Sequence, residues 1–213
     1  MLIEKVRARV LAVALDMVRQ GLVRGTSGNI SMRDQETGLV AVTPTSVPYE
    51  QCSVETICVV DATGKLVDGS YKPSSETPMH TAIYRARPDI HGIVHTHSVY
   101  ATTFAVLNRE LPVITIPLTL TGAIPVVPFE MPGSQELGAA VVRALGSHSV
   151  AALLQNHGLL CVGPDPEKAL SIAAYVEEGA QVALLALMAG GLNPIPPEKV
   201  ELLRRAQQSG KAV

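Results

Sequence analysis

The chain has 213 residues, a length that suits one substantial hydrophobic core. Lys and Arg total 17 against 19 Asp and Glu, a net charge of −2, so there is no basic excess to neutralise nucleic-acid phosphates. Two Phe, five Tyr and no Trp leave few aromatic platforms for stacking single-stranded bases.

One domain over residues 1–213 is expected, with 191–213 as a C-terminal tail. Cys52, Cys58 and Cys161 are odd in number, follow no framework spacing and lie in or beside apolar sequence, which predicts reduced, buried thiols. Charges at Glu4, Lys5, Arg7 and Arg9 cut through what would be the apolar centre of a signal peptide. No unbroken run approaches the roughly 18 to 20 apolar residues of a membrane span, so a cytoplasmic protein is expected.

Val6, Val10, Val13 and Met17 recur at helical spacing and predict an amphipathic helix over about 2–20, ending near Gly21. The loop Gly25-Thr-Ser-Gly-Asn29 follows, then short strands at 29–32 and 39–42 around a polar turn. Segments 57–60 and 65–67 flank Asp61-Ala-Thr-Gly64 and suit a hairpin. A helix is predicted over 76–85, a strand over 91–97 and a helix over 99–107. Prolines at 112, 117, 125, 128 and 132 then allow only short strands such as 124–127. Ser134 can cap a helix running to Leu145, and 150–154 and 159–162 read as strands bracketing Asn156-His-Gly158. Asp165-Pro166 is a cap followed by a first-turn proline, opening a long Ala-rich helix to about Met188. That helix is apolar almost all round, which fits either burial in the domain or a subunit interface.

The segment His91-Gly-Ile-Val-His-Thr-His97 carries the most chemical information. On a strand, side chains alternate, so His95 and His97 share a face and offer two imidazoles side by side. His157 follows a second apolar run, and Glu76 lies upstream in Pro73-Ser-Ser-Glu76. Three histidines and one carboxylate can form a tetrahedral Zn²⁺ shell, and ligands drawn from separate segments suit a catalytic site better than a structural one. His91 reads as a supporting or surface residue, His148 as exposed, and His80, one turn after Glu76, as facing the core. Gly25-Thr-Ser-Gly-Asn29, Thr43-Pro-Thr-Ser46 and Ser74-Ser75 supply main-chain N–H groups and hydroxyls, the donors from which an oxyanion site without cations is built. Each run alone could equally be a turn or a helix cap.

Gly25-Thr-Ser-Gly-Asn-Ile-Ser31, Thr43-Pro-Thr45, Pro73-Ser-Ser-Glu76, Val94-His-Thr-His97 and Leu154-Gln-Asn-His-Gly158 resemble, in order and spacing, the motifs of the class II aldolase/adducin family. Within it the likeness is greatest to the aldolases that cleave L-fuculose 1-phosphate, and it covers nearly all of residues 5–190. The resemblance implies a three-layer α/β/α domain with a largely antiparallel central sheet, usually assembled as a four-fold symmetric homotetramer. It implies Zn²⁺ held by His95, His97 and His157, with Glu76 completing the resting shell and then serving as acid/base. Gly28, Asn29, Thr45, Ser46, Ser74 and Ser75 match the positions that cradle the substrate phosphate. The implied reaction is cleavage of a ketose 1-phosphate to dihydroxyacetone phosphate and a small aldehyde.

Other branches of the family remain as alternatives: a ribulose-5-phosphate 4-epimerase, a sugar-acid phosphate decarboxylase, or a dehydratase of a methylthio-ketose phosphate. The epimerases tend to have Asp where Glu76 stands, a further Asp in the proline-rich region and a late Tyr. Here 114–127 contains no acid and no Tyr follows Tyr175. The similar aldolases also place a Tyr in the stretch matching 114–120 and another in the C-terminal tail, and this chain has neither. That difference bears on the aldehyde side of the site. A non-catalytic adducin-like module would be expected to lack the three histidines. A closed structural metal site would not need Glu76 behind two serines.

Overall fold

In the computed structural model, which describes residues 1–208, eight strands form one sheet. They are β1 (Asn29–Arg33), β2 (Val40–Val42), β3 (Cys58–Val60), β4 (Leu66–Asp68), β5 (Gly92–Thr96), β6 (Val126–Val127), β7 (Ala151–Leu154) and β8 (Gly158–Gly163). Their order is β4-β3-β2-β1-β5-β8-β7-β6, and every pair is antiparallel except β6–β7. The helices are α1 (Glu4–Arg19), α2 (Thr77–Ala86), α3 (Val99–Val106), α4 (Gln135–Leu145), α5 (Pro166–Met188) and α6 (Pro197–Gln208).

Strand alternation sorts the core into two layers. Ile30, Val94, Leu159 and Cys161 pack with α1, α3 and α5 on one face of the sheet. Val42, Ile93, Leu160 and Val162 pack with α2 and α4 on the other. Helices therefore cover both faces, the α/β/α arrangement that the resemblance implies. His95 shares the parity of Ile93 and projects into the α2 layer, one position from the sheet's end.

The predicted caps are in place. Ser134 Oγ accepts from Leu137 N at 3.1 Å, and Asp165 Oδ1 accepts from Lys168 N at 2.7 Å. Cys58 and Cys161 are buried thiols, and Cys52 is half-buried.

Several boundaries differ from the sequence expectations. β5 begins at Gly92 and ends at Thr96, so His91 and His97 flank the strand instead of lying in it. β6 shrinks to two residues because Pro125 and Pro128 bound it and neither can donate to a ladder. Glu76 precedes α2 as its N-cap residue instead of being its first turn. The segment 191–208, expected as a tail, contains α6, and Leu192, Ile195 and Val200 pack back onto the core; 209–213 lies outside the described residues. Among the described residues α5 does reach the length and average hydropathy of a membrane-crossing helix, although no unbroken apolar run does. It packs instead on β5, β8 and α3, burying Ala173, Val176, Ala180 and Ala183. Its far end leaves Val182, Leu185 and Met188 exposed.

Candidate metal and phosphate site

β5 is the centre of the site because its two neighbours bring the other ligands to it. β1 pairs Asn29 with His95, and β8 pairs Leu159 with Thr96. β7 and β8 are joined by a tight turn in which His157 N donates to Leu154 O at 3.0 Å. Asn156 takes a left-handed φ of 56°, which Asn tolerates better than most residues. The turn sets His157 beside the two β5 histidines. Gly158 permits the approach: a Cβ there would sit 2.3 Å from Thr96 O and 3.2 Å from both the His95 and His97 rings.

His95 Nε2 lies 3.0 Å from His97 Nε2 and 3.2 Å from His157 Nε2. One ligand atom from each ring falls within 4.8 Å of the others, so the three could hold a metal ion. His95 Nδ1–H donates to Leu159 O at 2.9 Å, which leaves Nε2 as a lone pair aimed at the cluster. Burial, followed by the neighbouring His157 and His97, holds the buried His95 imidazole well below its ordinary pKa. Burial pushes His157 down to about 4 and lowers His97 as well. All three rings are thus neutral near pH 7, the form that ligates metal.

Glu76 Oε2 is 3.4 Å from His95 Nε2, and Oε1 is 3.4 Å from His157 Nε2. Glu76 Oε2 is buried without a hydrogen-bond partner. An acceptor oxygen facing an acceptor nitrogen needs a cation or a proton between them. The donor set, three imidazole nitrogens and one carboxylate, fits Zn²⁺. Burial raises the Glu76 carboxyl to about 7, partly opposed by a hydrogen bond from the Asn29 side chain.

The small-residue runs converge on the same cleft. Thr45 N donates to Lys72 O and Ser74 N to Thr43 O, both at 3.0 Å, which ties the Thr43–Ser46 loop to Ser74 and Ser75. Gly28 adopts φ 74°, and a Cβ would meet Val23 Cγ1 at 2.6 Å and His95 O at 2.7 Å, so glycine is required there. Tyr49 Oη anchors that loop by donating to the Ser27 and Gly28 carbonyls at 3.1 and 2.9 Å. A cavity of about 290 Å³ results, lined by Gly28, Asn29, Thr45, Ser46, Ser74, Ser75, Glu76, His95, His97 and His157 together. No Lys or Arg is among its described lining residues, and Glu76 is their only carboxylate.

Every site residue expected from sequence borders this one cavity. His148 is exposed and His91 half-buried outside the cavity, while His80 is buried behind it. Thr26 and Ser27, inside the Gly25–Asn29 run, also line the wall, and sequence reasoning missed Pro132 there. It also missed the Tyr49 anchor, since a Tyr beside a proline says nothing of which carbonyls it will reach. Pro132 arrives because Gly133, at φ 78°, lies where a Cβ would come within 2.7 Å of Ser75 O.

This fold belongs to the class II aldolase/adducin family. The family model described as the class II aldolase and adducin N-terminal domain matches residues 8–184, so the chain is a member. An L-fuculose phosphate aldolase from Escherichia coli K12 is 39% identical over 194 residues, covering 90% of this chain and 87% of that one. A 5-deoxy-D-ribulose 1-phosphate aldolase from Bacillus thuringiensis serovar kurstaki is 34% identical over 206 residues, covering 96% of each. An L-ribulose-5-phosphate 4-epimerase from Salmonella paratyphi C is 36% identical over 203 residues, covering 90% and 88%. Among solved structures, an L-fuculose 1-phosphate aldolase superposes with a TM-score of 0.92 at 31% identity, covering 96% of both chains. Family membership supports an aldolase-type lyase of sugar-phosphate metabolism.

Proposed function

We propose that this protein is a Zn²⁺-dependent aldolase that cleaves a ketose 1-phosphate into dihydroxyacetone phosphate and a small aldehyde. The observation that carries this is the single cavity in which three neutral imidazoles, one buried carboxylate and a cation-free ring of small donors meet. His95, His97 and His157 would hold the metal, with Glu76 closing the shell before substrate enters. The ion would supply a Lewis acid for the charge that develops on the substrate's carbonyl oxygen as the C3–C4 bond breaks.

In cleavage the C4 hydroxyl releases its proton to solvent as the aldehyde forms, and Glu76 gives a proton to C3; condensation reverses both transfers. Burial raises the Glu76 pKa toward neutrality, and this would suit acid/base work once the carboxylate has left the ion, whose charge otherwise holds it ionised. The main-chain N–H of Ser46, Ser75 and Gly28, with the neighbouring hydroxyls, is suited to the phosphate, and α2 adds the positive end of its dipole. Binding the phosphate at Ser74–Ser75 sets the reacting carbons beside Glu76, since the three residues are consecutive. The same proposal includes a homotetramer; the exposed Val182, Leu185 and Met188 of α5 give it apolar surface to bury.

A 4-epimerase is the second reading, favoured by the relative bearing that name. It is weakened by the lack of a second carboxylate among the described cavity residues. Assaying the purified protein against a panel of ketose 1-phosphates, with dihydroxyacetone phosphate release as readout, tests the proposal. Release from at least one of them is expected. Interconversion of ribulose and xylulose 5-phosphates without any such release would replace it with the second reading.

A further inference from the structure

A ladder of polar pairs runs between α2 and β1. Residues 76, 80 and 84 share one side of the α2 segment because they are four apart, and 29, 31 and 33 share one side of β1 because they are two apart. Glu76 accepts a hydrogen bond from the Asn29 side chain. His80 Nδ1 lies 2.6 Å from Ser31 Oγ. The Arg33 guanidinium stacks over the Tyr84 ring, 5.1 Å from its centroid.

The middle pair fixes a tautomer. Ser31 Oγ has one hydrogen and two close neighbours, His80 Nδ1 at 2.6 Å and Tyr84 Oη at 2.8 Å. The Tyr84 hydrogen can go to Ser31 or to the His91 carbonyl, which is 3.4 Å away. Only the shorter contact has the length of a sound O–H···O bond, and the His91 carbonyl already accepts from Arg33 N at 2.9 Å. Tyr84 therefore donates to Ser31, and Ser31 donates to His80 Nδ1. The buried, neutral imidazole must then carry its hydrogen on Nε2. That nitrogen has no hydrogen-bond partner, and neither does Asn29 Oδ1, an acceptor in the adjacent pair; both are buried. Buried polar atoms are rarely left unpaired, and here one is a donor and the other an acceptor.

We infer that His80 Nε2–H donates to Asn29 Oδ1 through one buried water, and so fixes which way the Asn29 amide faces. The NH2 end of the amide is then held toward Glu76, while Glu76 Oε2 stays on the histidine side, 3.4 Å from His95 Nε2. Tyr84, Ser31, His80 and Asn29 form a one-directional chain of donors that ends on the carboxylate. His80 is a positioning residue that acts through Asn29. The inference rests on the reading of Glu76 as the acid/base.

Two measurements test it. In ¹⁵N-histidine-labelled, Zn²⁺-loaded protein, His80 should show the neutral Nε2–H tautomer; the Nδ1–H tautomer would overturn the inference. In the aldol cleavage assay, His80→Gln places an amide nitrogen where Nε2 stood and should keep kcat within about threefold. His80→Asn retains only the Ser31 side and should lose roughly 10- to 100-fold in kcat with KM little changed. Equal losses, or the reverse order, would overturn it, and the tautomer decides the matter on the unaltered chain should a variant fail to fold. The underlying reading fails separately: Glu76→Gln with wild-type proton exchange at C3 of dihydroxyacetone phosphate would remove Glu76 as the base, whatever His80 does.

Discussion

Gly158→Ala probes the backbone approach on which the metal cluster depends. The added Cβ would lie 2.3 Å from the Thr96 carbonyl oxygen, where ordinary contact begins at 3.4 Å, so β8 must move about 1.1 Å away from β5. The same atom meets the His95 and His97 rings at 3.2 Å, so the displacement falls on two of the three candidate ligands. Overpacking of this kind costs about 1–3 kcal/mol, which for a chain of this size lowers Tm by roughly 2–12 °C. A displacement near 1 Å at reacting groups typically costs on the order of 10²-fold in rate. Gly21→Ala is the control: φ is 71° and no atom lies within 4 Å, so only the left-handed backbone cost of roughly 1–2 kcal/mol applies. Thermal unfolding and competitive Zn²⁺ titration of both variants should show loss of stability in each, but weakened Zn²⁺ binding, by about tenfold or more, only in Gly158→Ala. Wild-type Zn²⁺ affinity in Gly158→Ala would refute the argument that this approach sets the ligand geometry.

Stability should fall in acid through His80, whose folded pKa is depressed by burial to about 3 against about 6.5 unfolded. Between those values the unfolded chain binds the extra proton, so this contribution is intact above about pH 6.5 and declines as pH falls, by about 2 kcal/mol from pH 7 to 5. Urea denaturation of metal-stripped wild type and His80→Gln should differ in pH slope by that amount, and parallel slopes would contradict it. Ser75→Ala should weaken binding of phosphorylated ligands roughly 10- to 100-fold, the usual value of a hydrogen bond to a charged group, with no effect on unphosphorylated ketose. Calorimetric titration with both ligands checks this. No Tyr lines the cavity among the described residues, so aldehyde selection should be loose. A preference above about 10⁴ in kcat/KM for one hydroxyaldehyde in the condensation direction would contradict that.

Much of the site was legible because its chemistry follows short-range periodicity. His95 lies on β5 and His97 two residues on, just past its end, Ser74 to Glu76 lead into α2, and Asn156-His-Gly158 is a turn by composition. Period alone also assigned His95 to a face, and the pairing of Asn29 with His95 then brought the first loop to the metal cluster. What escaped notice depends on contacts between distant segments. The Ser31–His80 bond needs the register of α2 on β1, which no local pattern encodes. Tyr49 reaches two carbonyls more than 20 residues away in sequence. The helix α6 lies in the segment expected as a tail, and it opens on Pro197, a residue that is favourable at a helix start. The prolines announced a short strand, and β6 is shorter still because pairing starts only after Pro125.

The central claim, that Glu76 moves a proton at C3 of dihydroxyacetone phosphate beside a metal held by His95, His97 and His157, is tested most directly by hydrogen exchange. Dihydroxyacetone phosphate is incubated in D₂O with wild type, metal-stripped wild type and Glu76→Gln, and deuterium incorporation at C3 is followed by NMR, with bound Zn²⁺ measured alongside. The account predicts rapid, stereospecific exchange in wild type and none after metal removal. It predicts at least a roughly 10²-fold loss in Glu76→Gln, the lower range for a general acid–base, with one Zn²⁺ per chain retained. Wild-type exchange in Glu76→Gln, or undiminished exchange after metal removal, would contradict it.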